Sequence, residues 1–195
     1  NPVALKENLI ENHLHFIIIN ENYLNMNPIQ YFTRLASVLF LFMTYAGYAQ
    51  SVLKESLAIK SSVLGKEVRY SVLLPADYER SSRKYPVLYL LHGYSDDETG
   101  WTQFGEVKDI ADRAFAAGDM TAMIIVMPDA DVSWYINSAD GKVRFEDFFV
   151  KEFIPYIDQN YRSRTDRQFR AVAGLSMGGY GTCILSMKHP DLFSA

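Results

Sequence analysis

The chain has 195 residues, of which 49% are hydrophobic and 22% are charged, and its formal net charge is −4 at pH 7. This composition is typical of one globular domain and argues against an intrinsically disordered chain. The acidic balance and the lack of a basic cluster argue against nucleic acid as a partner. The single cysteine, Cys183, is expected to be a buried apolar residue and has no partner for an intrachain disulfide. No group of cysteines and histidines indicates a metal, and no cofactor is expected.

The N-terminal quarter of the chain contains an apolar segment between polar flanks. Residues 26–49 start at Met26, contain Arg34 and an almost entirely apolar stretch, and end in small residues before a possible cleavage after Ala49. This pattern predicts a secretory signal peptide, and hence a secreted or periplasmic protein. A membrane anchor is the alternative, but about twelve apolar residues are too few to span ~30 Å of hydrocarbon. Residues 1–25 are interpreted as an upstream extension that is not part of the native protein.

Residues 50–195 are expected to form the folded domain. Its predicted strands are residues 53–62, 66–75, 85–91, 121–127 and 169–174, and its predicted helices are residues 106–117, 145–159 and 180–188. A hairpin is thus followed by strands and helices in alternation, which predicts an open, mostly parallel sheet with helices on both faces. Pro155 is expected to kink the second helix. Ligands bind at the carboxyl ends of such strands, where the loops 94–104 and 129–141 begin.

A G-x-S-x-G motif, Gly174-Leu175-Ser176-Met177-Gly178, lies between the last predicted strand and the last predicted helix. In this setting the motif is the signature of a nucleophilic serine on a sharp, strained turn. The two outer glycines are needed because side chains at these positions would collide. The helix N-terminus offers N–H groups and a partial positive charge to a developing oxyanion. A chance match in an ordinary turn is the alternative, which the flanking strand and helix weaken.

The predicted strand 85–91 ends in His92-Gly93-Tyr94. In α/β hydrolases the loop after this strand donates one N–H group to the oxyanion hole, and the residue after the nucleophile donates the other. The predicted donors are therefore Tyr94 and Met177. His92 is expected to hold the loop through hydrogen bonds; a role as catalytic base is the alternative.

These motifs together resemble the putative esterase family, which includes esterase D, feruloyl and acetyl esterases and the antigen 85 mycolyltransferases. The segments that carry the resemblance are His92-Gly93-Tyr94, Trp101, Met127-Pro128-Asp129, Ser133-Trp134-Tyr135, residues 153–158, residues 174–181 and residues 189–193. The resemblance covers about residues 51–195. It implies an α/β-hydrolase fold and a triad of serine, acid and histidine in that chain order.

The sequence departs from this family after the nucleophile. Beyond Ser176 the only histidine is His189 and the only carboxylate is Asp191. His189 lies on the same predicted helix, roughly 20 Å from the serine at 1.5 Å rise per residue, which is too far to accept its proton. We therefore expect an N-terminal part of such a domain, without its C-terminal strands, catalytic acid and base, and inactive by itself. The strand 169–174 is then expected to be an exposed edge.

The expected function is that of a secreted serine carboxylic ester hydrolase, which acts on feruloyl or acetyl groups of carbohydrate through an acyl-enzyme on Ser176. Trp101 and Trp134 are the predicted substrate-binding residues, with ordinary packing as the alternative role of their rings. Acyl transfer, thioester hydrolysis of the S-formylglutathione type and non-catalytic carbohydrate binding are the other functions considered. The expected partner is a small-molecule or polysaccharide-linked ester, and the oligomeric state is left open.

Overall fold

The computed structural model describes residues 27–43 and 50–195, which belong to two separate units. In the first unit the helix α1 (Pro28–Met43) begins with a capping box: the Gln30 N–H donates to Asn27 Oδ1, and the Asn27 N–H donates to Gln30 Oε1. Within the described ranges, no helix has the length and hydropathy needed to cross a membrane. The predicted extension at 1–25 and the predicted cleavage after Ala49 lie outside these ranges, so the signal peptide stays a prediction.

The second unit is built on a five-stranded mixed sheet. Its strands are β1 (Val52–Ser61), β2 (Lys66–Leu74), β3 (Val87–Leu91), β4 (Ile124–Pro128) and β5 (Arg170–Gly174), and their order across the sheet is β1-β2-β4-β3-β5. The strand β3 pairs in parallel with β4 and β5, whereas β2 pairs antiparallel with β1 and β4. The strand β4 begins three residues later than predicted, because its pairing with β3 starts only where Val87 lies opposite Ile124.

Helices cover both faces of the sheet, as predicted. They are α2 (Gly100–Gln103), α3 (Val107–Ala117), α4 (Phe145–Phe148), α5 (Ile154–Asn160) and α6 (Met177–Lys188). The helix α3 ends at Gly118, whose φ of 77° is the left-handed conformation that glycine favours. The segment 145–159, predicted as one helix, contains a π-helical turn (Phe149–Phe153) between α4 and α5. Pro155 lies just after this π-helical turn. Proline has no N–H group, so one hydrogen bond of a regular helix is not needed at this position.

The larger core lies between the sheet and the helices α4, α5 and α6. The segment 145–159 contributes buried apolar residues to this core, among them Phe148, Phe149, Phe153, Ile154 and Ile157. The rings of Tyr89 on β3 and Phe149 pack edge-on, with their centroids 5.3 Å apart. A smaller core on the opposite face packs α3 against β2, β3 and β4.

The outer edge of β5 is partly paired rather than bare. The Ser194 N–H donates to Arg170 O and the Val172 N–H donates to Ala195 O, both at 3.0 Å. The last two residues therefore cover part of the edge that the sequence predicted to be exposed. Cys183, predicted to be buried, is exposed on α6, because no described element packs over that face of the helix.

The C-terminal end of α6 is tied to α4 by a buried carboxylate. Lys188 Nζ lies 2.6 Å from Glu146 Oε2, and His189 Nε2 lies 3.0 Å from Glu146 Oε1. The pKa of Glu146 lies below its ordinary value of 4.5: burial acts to raise it, but the hydrogen bonds and charges of Lys188 and His189 outweigh that effect. The ionised form of Glu146 is therefore the one that stabilises the fold.

We predict that Glu146→Gln lowers the free energy of unfolding at neutral pH by about 1–3 kcal/mol, because hydrogen bonds to a charged group are lost. Since the pKa of Glu146 is depressed on folding, the advantage of the wild type is present above pH 4.5 and disappears as the pH falls through the lower, folded pKa. Denaturant unfolding of both proteins between neutral pH and about pH 3 measures this difference. The exposed Glu79 serves as control, since Glu79→Gln should have no such profile. If the stability advantage of the wild type over Glu146→Gln increased as the pH fell, the depressed pKa assigned to Glu146 would be contradicted.

The middle of α6 approaches the loop 129–144 closely because residue 181 is glycine. A Cβ atom on Gly181 would lie 2.6–2.8 Å from side-chain atoms of Tyr135, which is fully buried. A Cβ atom on Gly179, two residues earlier, would lie 3.4 Å from its nearest neighbour, the carbonyl oxygen of Gly174.

We predict that Gly181→Ala destabilises the fold by about 1–3 kcal/mol, because Tyr135 has to move in a packed core. The matched substitution Gly179→Ala should change stability by no more than ~1 kcal/mol, since alanine favours the helix and the added methyl group meets ordinary contacts. The midpoint of thermal or denaturant unfolding distinguishes the two variants. Equal destabilisation by both would show that Tyr135 does not limit the approach of α6.

Candidate active site

Ser176 lies at the sharp turn between β5 and α6, as the motif predicts. Its backbone has φ 53° and ψ −112°, a strained conformation for a residue with a side chain. A Cβ atom on Gly174 would lie 2.5 Å from the backbone of Gly178, and one on Gly178 would lie 2.3 Å from the carbonyl oxygen of Leu91. Only glycine fits at either position, so the turn can press against the end of β3 and hold the serine in place.

The loop that follows β3 lies directly against this serine. A Cβ atom on Gly93 would be 3.8 Å from the Cβ atom of Ser176, so the backbone of Gly93 passes beside the nucleophile. Tyr94 comes next and is 57% exposed. Met177 is fully buried at the start of α6, directly after the serine. The structure thus brings Tyr94 and Met177 to the serine, and their roles as oxyanion donors stay a prediction.

His92 is buried and joins two loops. The Ala130 N–H donates to His92 Nε2 at 2.9 Å, and His92 Nδ1 lies 2.7 Å from the carbonyl oxygen of Gly93. Because Nε2 accepts a hydrogen bond, the proton of the neutral ring is on Nδ1, which donates to Gly93. With both ring nitrogens occupied, His92 holds the loops after β3 and β4 together, the role expected from the sequence.

The loop after β4 has an unusual backbone at Trp134 and Tyr135. Both residues have positive φ angles, 57° and 61°, which are rare for aromatic residues. This conformation turns Tyr135 into the core, where burial raises its pKa and its hydroxyl donates to the carbonyl oxygen of His92 at 3.1 Å. Trp134 faces outward and is 43% exposed. Two consecutive strained residues persist only where the surrounding structure holds them, and such residues cluster at functional sites.

Three exposed aromatic rings line the rim beside Ser176. The ring of Trp134 lies 5.5 Å from that of Tyr180, edge-on, and 6.2 Å from that of Tyr94. Tyr180 is in the first turn of α6, four residues after the serine, and was not predicted from the sequence as a site residue. Its position one helical turn from the nucleophile was the available signal. Trp134, predicted to bind substrate, is therefore at the site.

Trp101, the other predicted substrate-binding residue, occupies a different environment. It is partly buried and packs against the smaller core, on the face of the sheet that α3 covers. Gly105, two residues after α2, packs closely against it, since a Cβ atom there would lie 2.8 Å from the indole ring. This position favours the alternative role of Trp101, ordinary packing.

The described residues place no catalytic base beside the serine. The two histidines in these ranges are His92, whose nitrogens are both hydrogen-bonded, and His189, which is paired with Glu146. The helix α6 has 12 residues, so His189 at its far end is roughly 18–20 Å from Ser176. Within the described part of the chain there is also no cluster of three or more His, Cys, Asp or Glu residues suited to a metal ion.

Comparison with known proteins identifies relatives of this domain. The model of the family described as "Putative esterase" matches residues 61–195. An endo-1,4-beta-xylanase/feruloyl esterase of Xylanibacter ruminicola is 35% identical over 140 residues, which are 68% of this chain and 19% of that protein. An esterase of Mycobacterium tuberculosis is 36% identical over 140 residues, 70% of this chain and 29% of that protein.

Solved structures extend this result to the fold. A ferulic acid esterase superposes with a TM-score of 0.70 at 41% identity, and the match covers 74% of this chain and 56% of that one. The chain thus spans little more than half of that structure, and less than a third of the two relatives above. Because the family model matches more than half of the chain and the structural relatives are α/β hydrolases, the chain belongs to the esterase family of α/β hydrolases.

Proposed function

We propose that this chain is the nucleophile-bearing part of a secreted serine carboxylic ester hydrolase that removes feruloyl or acetyl groups from carbohydrate. The observation that carries the proposal is the strained turn at Ser176, with the backbone of Gly93 packed beside it. A strained serine between a parallel strand and a helix N-terminus is the arrangement of an activated nucleophile. The esterase family membership gives the reaction class, and the names of the relatives suggest the acyl groups.

In this mechanism Ser176 Oγ attacks the acyl carbon of the ester. The negative charge that develops on the carbonyl oxygen is held by the N–H groups of Tyr94 and Met177, and each such donor contributes about 3 kcal/mol to transition-state stabilisation. The alcohol leaves, the acyl group stays on Ser176, and water then releases the acid. A histidine oriented by a carboxylate takes the serine proton and passes it to the leaving alcohol.

We propose that this histidine and its carboxylate are contributed by polypeptide beyond residue 195. The support is geometric. His92 is hydrogen-bonded to the loop after β4, and His189 is paired with Glu146 at the far end of α6. The comparisons are consistent with a longer domain, since the chain matches 56% of the length of the ferulic acid esterase structure.

The exposed aromatic rim gives the proposed substrate class its physical basis. Trp134, Tyr180 and Tyr94 offer flat apolar surface beside the nucleophile, suited to an aromatic acyl group or the apolar face of a sugar. Trp101 is not part of this rim. Secretion in this proposal is based on the apolar segment within residues 26–49 alone. Acyl transfer would use the same acyl-enzyme with a second alcohol in place of water.

We predict that Ser176→Ala in the full-length protein abolishes covalent labelling by a fluorophosphonate probe and lowers kcat for ester hydrolysis by several orders of magnitude, up to ~10⁶-fold. The reason is that the nucleophile is lost while the fold is kept. Ser186→Ala, on the same helix, removes only a hydroxyl that donates to the Thr182 carbonyl and should retain labelling. Labelling that survives Ser176→Ala would contradict the proposal.

Residues 1–195 expressed alone should show no serine-dependent burst with p-nitrophenyl acetate, because no base reaches Ser176. The longer polypeptide should show the burst and lose it in Ser176→Ala. A stable, soluble 1–195 protein with a Ser176-dependent burst would show that the described residues contain a base that the geometry does not reveal.

A further inference from the structure

A cavity of about 480 Å³ lies between the hairpin and the loop 129–144. Its volume is within the usual range for small-molecule sites. Ser176 is not among the residues that line it, but Trp134 is. Since Trp134 also contacts Tyr180 and Tyr94, the cavity and the candidate active site share one aromatic wall.

The walls of this cavity are mainly apolar. The hairpin contributes Leu64 and Val68, and the loop contributes Val132, Ile136 and Val143. All five side chains are aliphatic, and two of them are well exposed to solvent: Val132 at 45% and Val143 at 43%. Apolar side chains that are open to solvent beside an exposed tryptophan can pack against the apolar C–H faces of a ligand.

The rim of the cavity is polar and carries a slightly negative balance of charge. The rim contains two lysines, Lys66 and Lys142, and three carboxylates, Glu67, Asp129 and Asp131. Lys66 Nζ is 3.9 Å from Asp131 Oδ2, and both side chains are more than half exposed, so this weak pair leaves both groups available to a ligand. A net negative rim disfavours an anionic ligand such as a free aromatic acid, whereas it offers hydrogen bonds to neutral hydroxyl groups.

The backbone of the loop supports a binding role for this wall. Trp134 and Tyr135 both have positive φ angles, yet Tyr135 is fully buried against Gly181 and hydrogen-bonded to His92 O, whereas Trp134 is 43% exposed. The core thus holds the strained backbone beside a half-exposed indole, which lines the cavity and also contacts Tyr180 in the first turn after the serine. A rigid aromatic wall of this kind binds a ligand with little loss of conformational entropy.

We infer that the cavity is a sugar subsite: it binds a neutral sugar residue of the carbohydrate that carries the ester, while the acyl group lies on the other side of Trp134 at Ser176. The inference builds on the proposed function and names the second half of the substrate. Apolar ring faces meet Trp134 and the valines, and ring hydroxyls meet Lys66 and Asp131.

Binding without hydrolysis provides the first test. In full-length protein carrying Ser176→Ala, an unesterified xylo-oligosaccharide is the probe, measured by calorimetry or saturation-transfer NMR. Val143→Trp fills the cavity and should weaken binding by about tenfold or more. Val52→Trp is the matched control, since Val52 is similarly exposed at 41% but lies on β1, away from the lining. The inference would be overturned if both variants bound the oligosaccharide with equal affinity. It would also be overturned if free ferulate were the ligand whose binding Val143→Trp removes.

Hydrolysis distinguishes this inference from the proposed function. With active full-length protein, Val143→Trp should raise KM about tenfold for a feruloylated oligosaccharide and leave methyl ferulate unaffected. If neither ester is hydrolysed but the oligosaccharide still binds in a Val143-dependent way, the proposed function fails and the sugar subsite stands. If both esters are hydrolysed and Val143→Trp affects them equally, the sugar subsite fails. Val132→Trp, from the same wall, repeats the test should Val143→Trp not fold.

Discussion

The close approach of the serine turn to the end of β3 is the constraint on which the rest of this domain depends. Gly178 lies so near the carbonyl oxygen of Leu91 that a Cβ atom there would be only 2.3 Å away. This close approach lies where Leu91 pairs with Gly174 at the ends of β3 and β5, and there Ser176 takes its strained conformation and α6 begins. The strain costs of order 1–3 kcal/mol and is offset by the packing of α6 and β5 around it.

A buried polar network then arranges the loops around this turn. His92 accepts a hydrogen bond from Ala130 and donates to Gly93, while Tyr135 donates to the carbonyl oxygen of His92. Each of these bonds adds only about 1 kcal/mol, but leaving one of the buried groups without a partner would cost ~1–3 kcal/mol. The network therefore acts mainly on geometry: it holds the backbone beside Ser176 and the aromatic wall in one arrangement.

The site that results has two compartments with a common boundary. Trp134 contacts Tyr94 and Tyr180 in the rim beside Ser176 and also lines the cavity, and the next residue, Tyr135, is anchored in the core. An ester that joins an acyl group to a sugar has two chemically different halves. The proposed function assigns one half to the rim, and the sugar subsite assigns the other to the cavity.

Several features of the fold could be predicted from the sequence because they depend on local chain physics. The sharp turn at Ser176 follows from the spacing of its two glycines, and the buried face of the segment 145–159 follows from helical periodicity. The end of α3 at Gly118 also has a local cause, since glycine alone readily takes the left-handed conformation. The structural role of His92 was expected for a histidine that precedes a backbone loop at a strand end.

Other features arise only from contacts between segments far apart in the chain. The π-helical turn before Pro155 depends on how α4 and α5 both reach the sheet, and the pairing of Ser194 and Ala195 with β5 depends on where α6 returns the chain. Trp101 and Trp134 looked equivalent in sequence, yet one packs in the smaller core and the other faces the site. Local sequence thus determined the nucleophile turn and the elements on either side of it. Only the tertiary structure decided which aromatic rings face a ligand and where a second cavity opens, because both depend on long-range packing that no local pattern encodes.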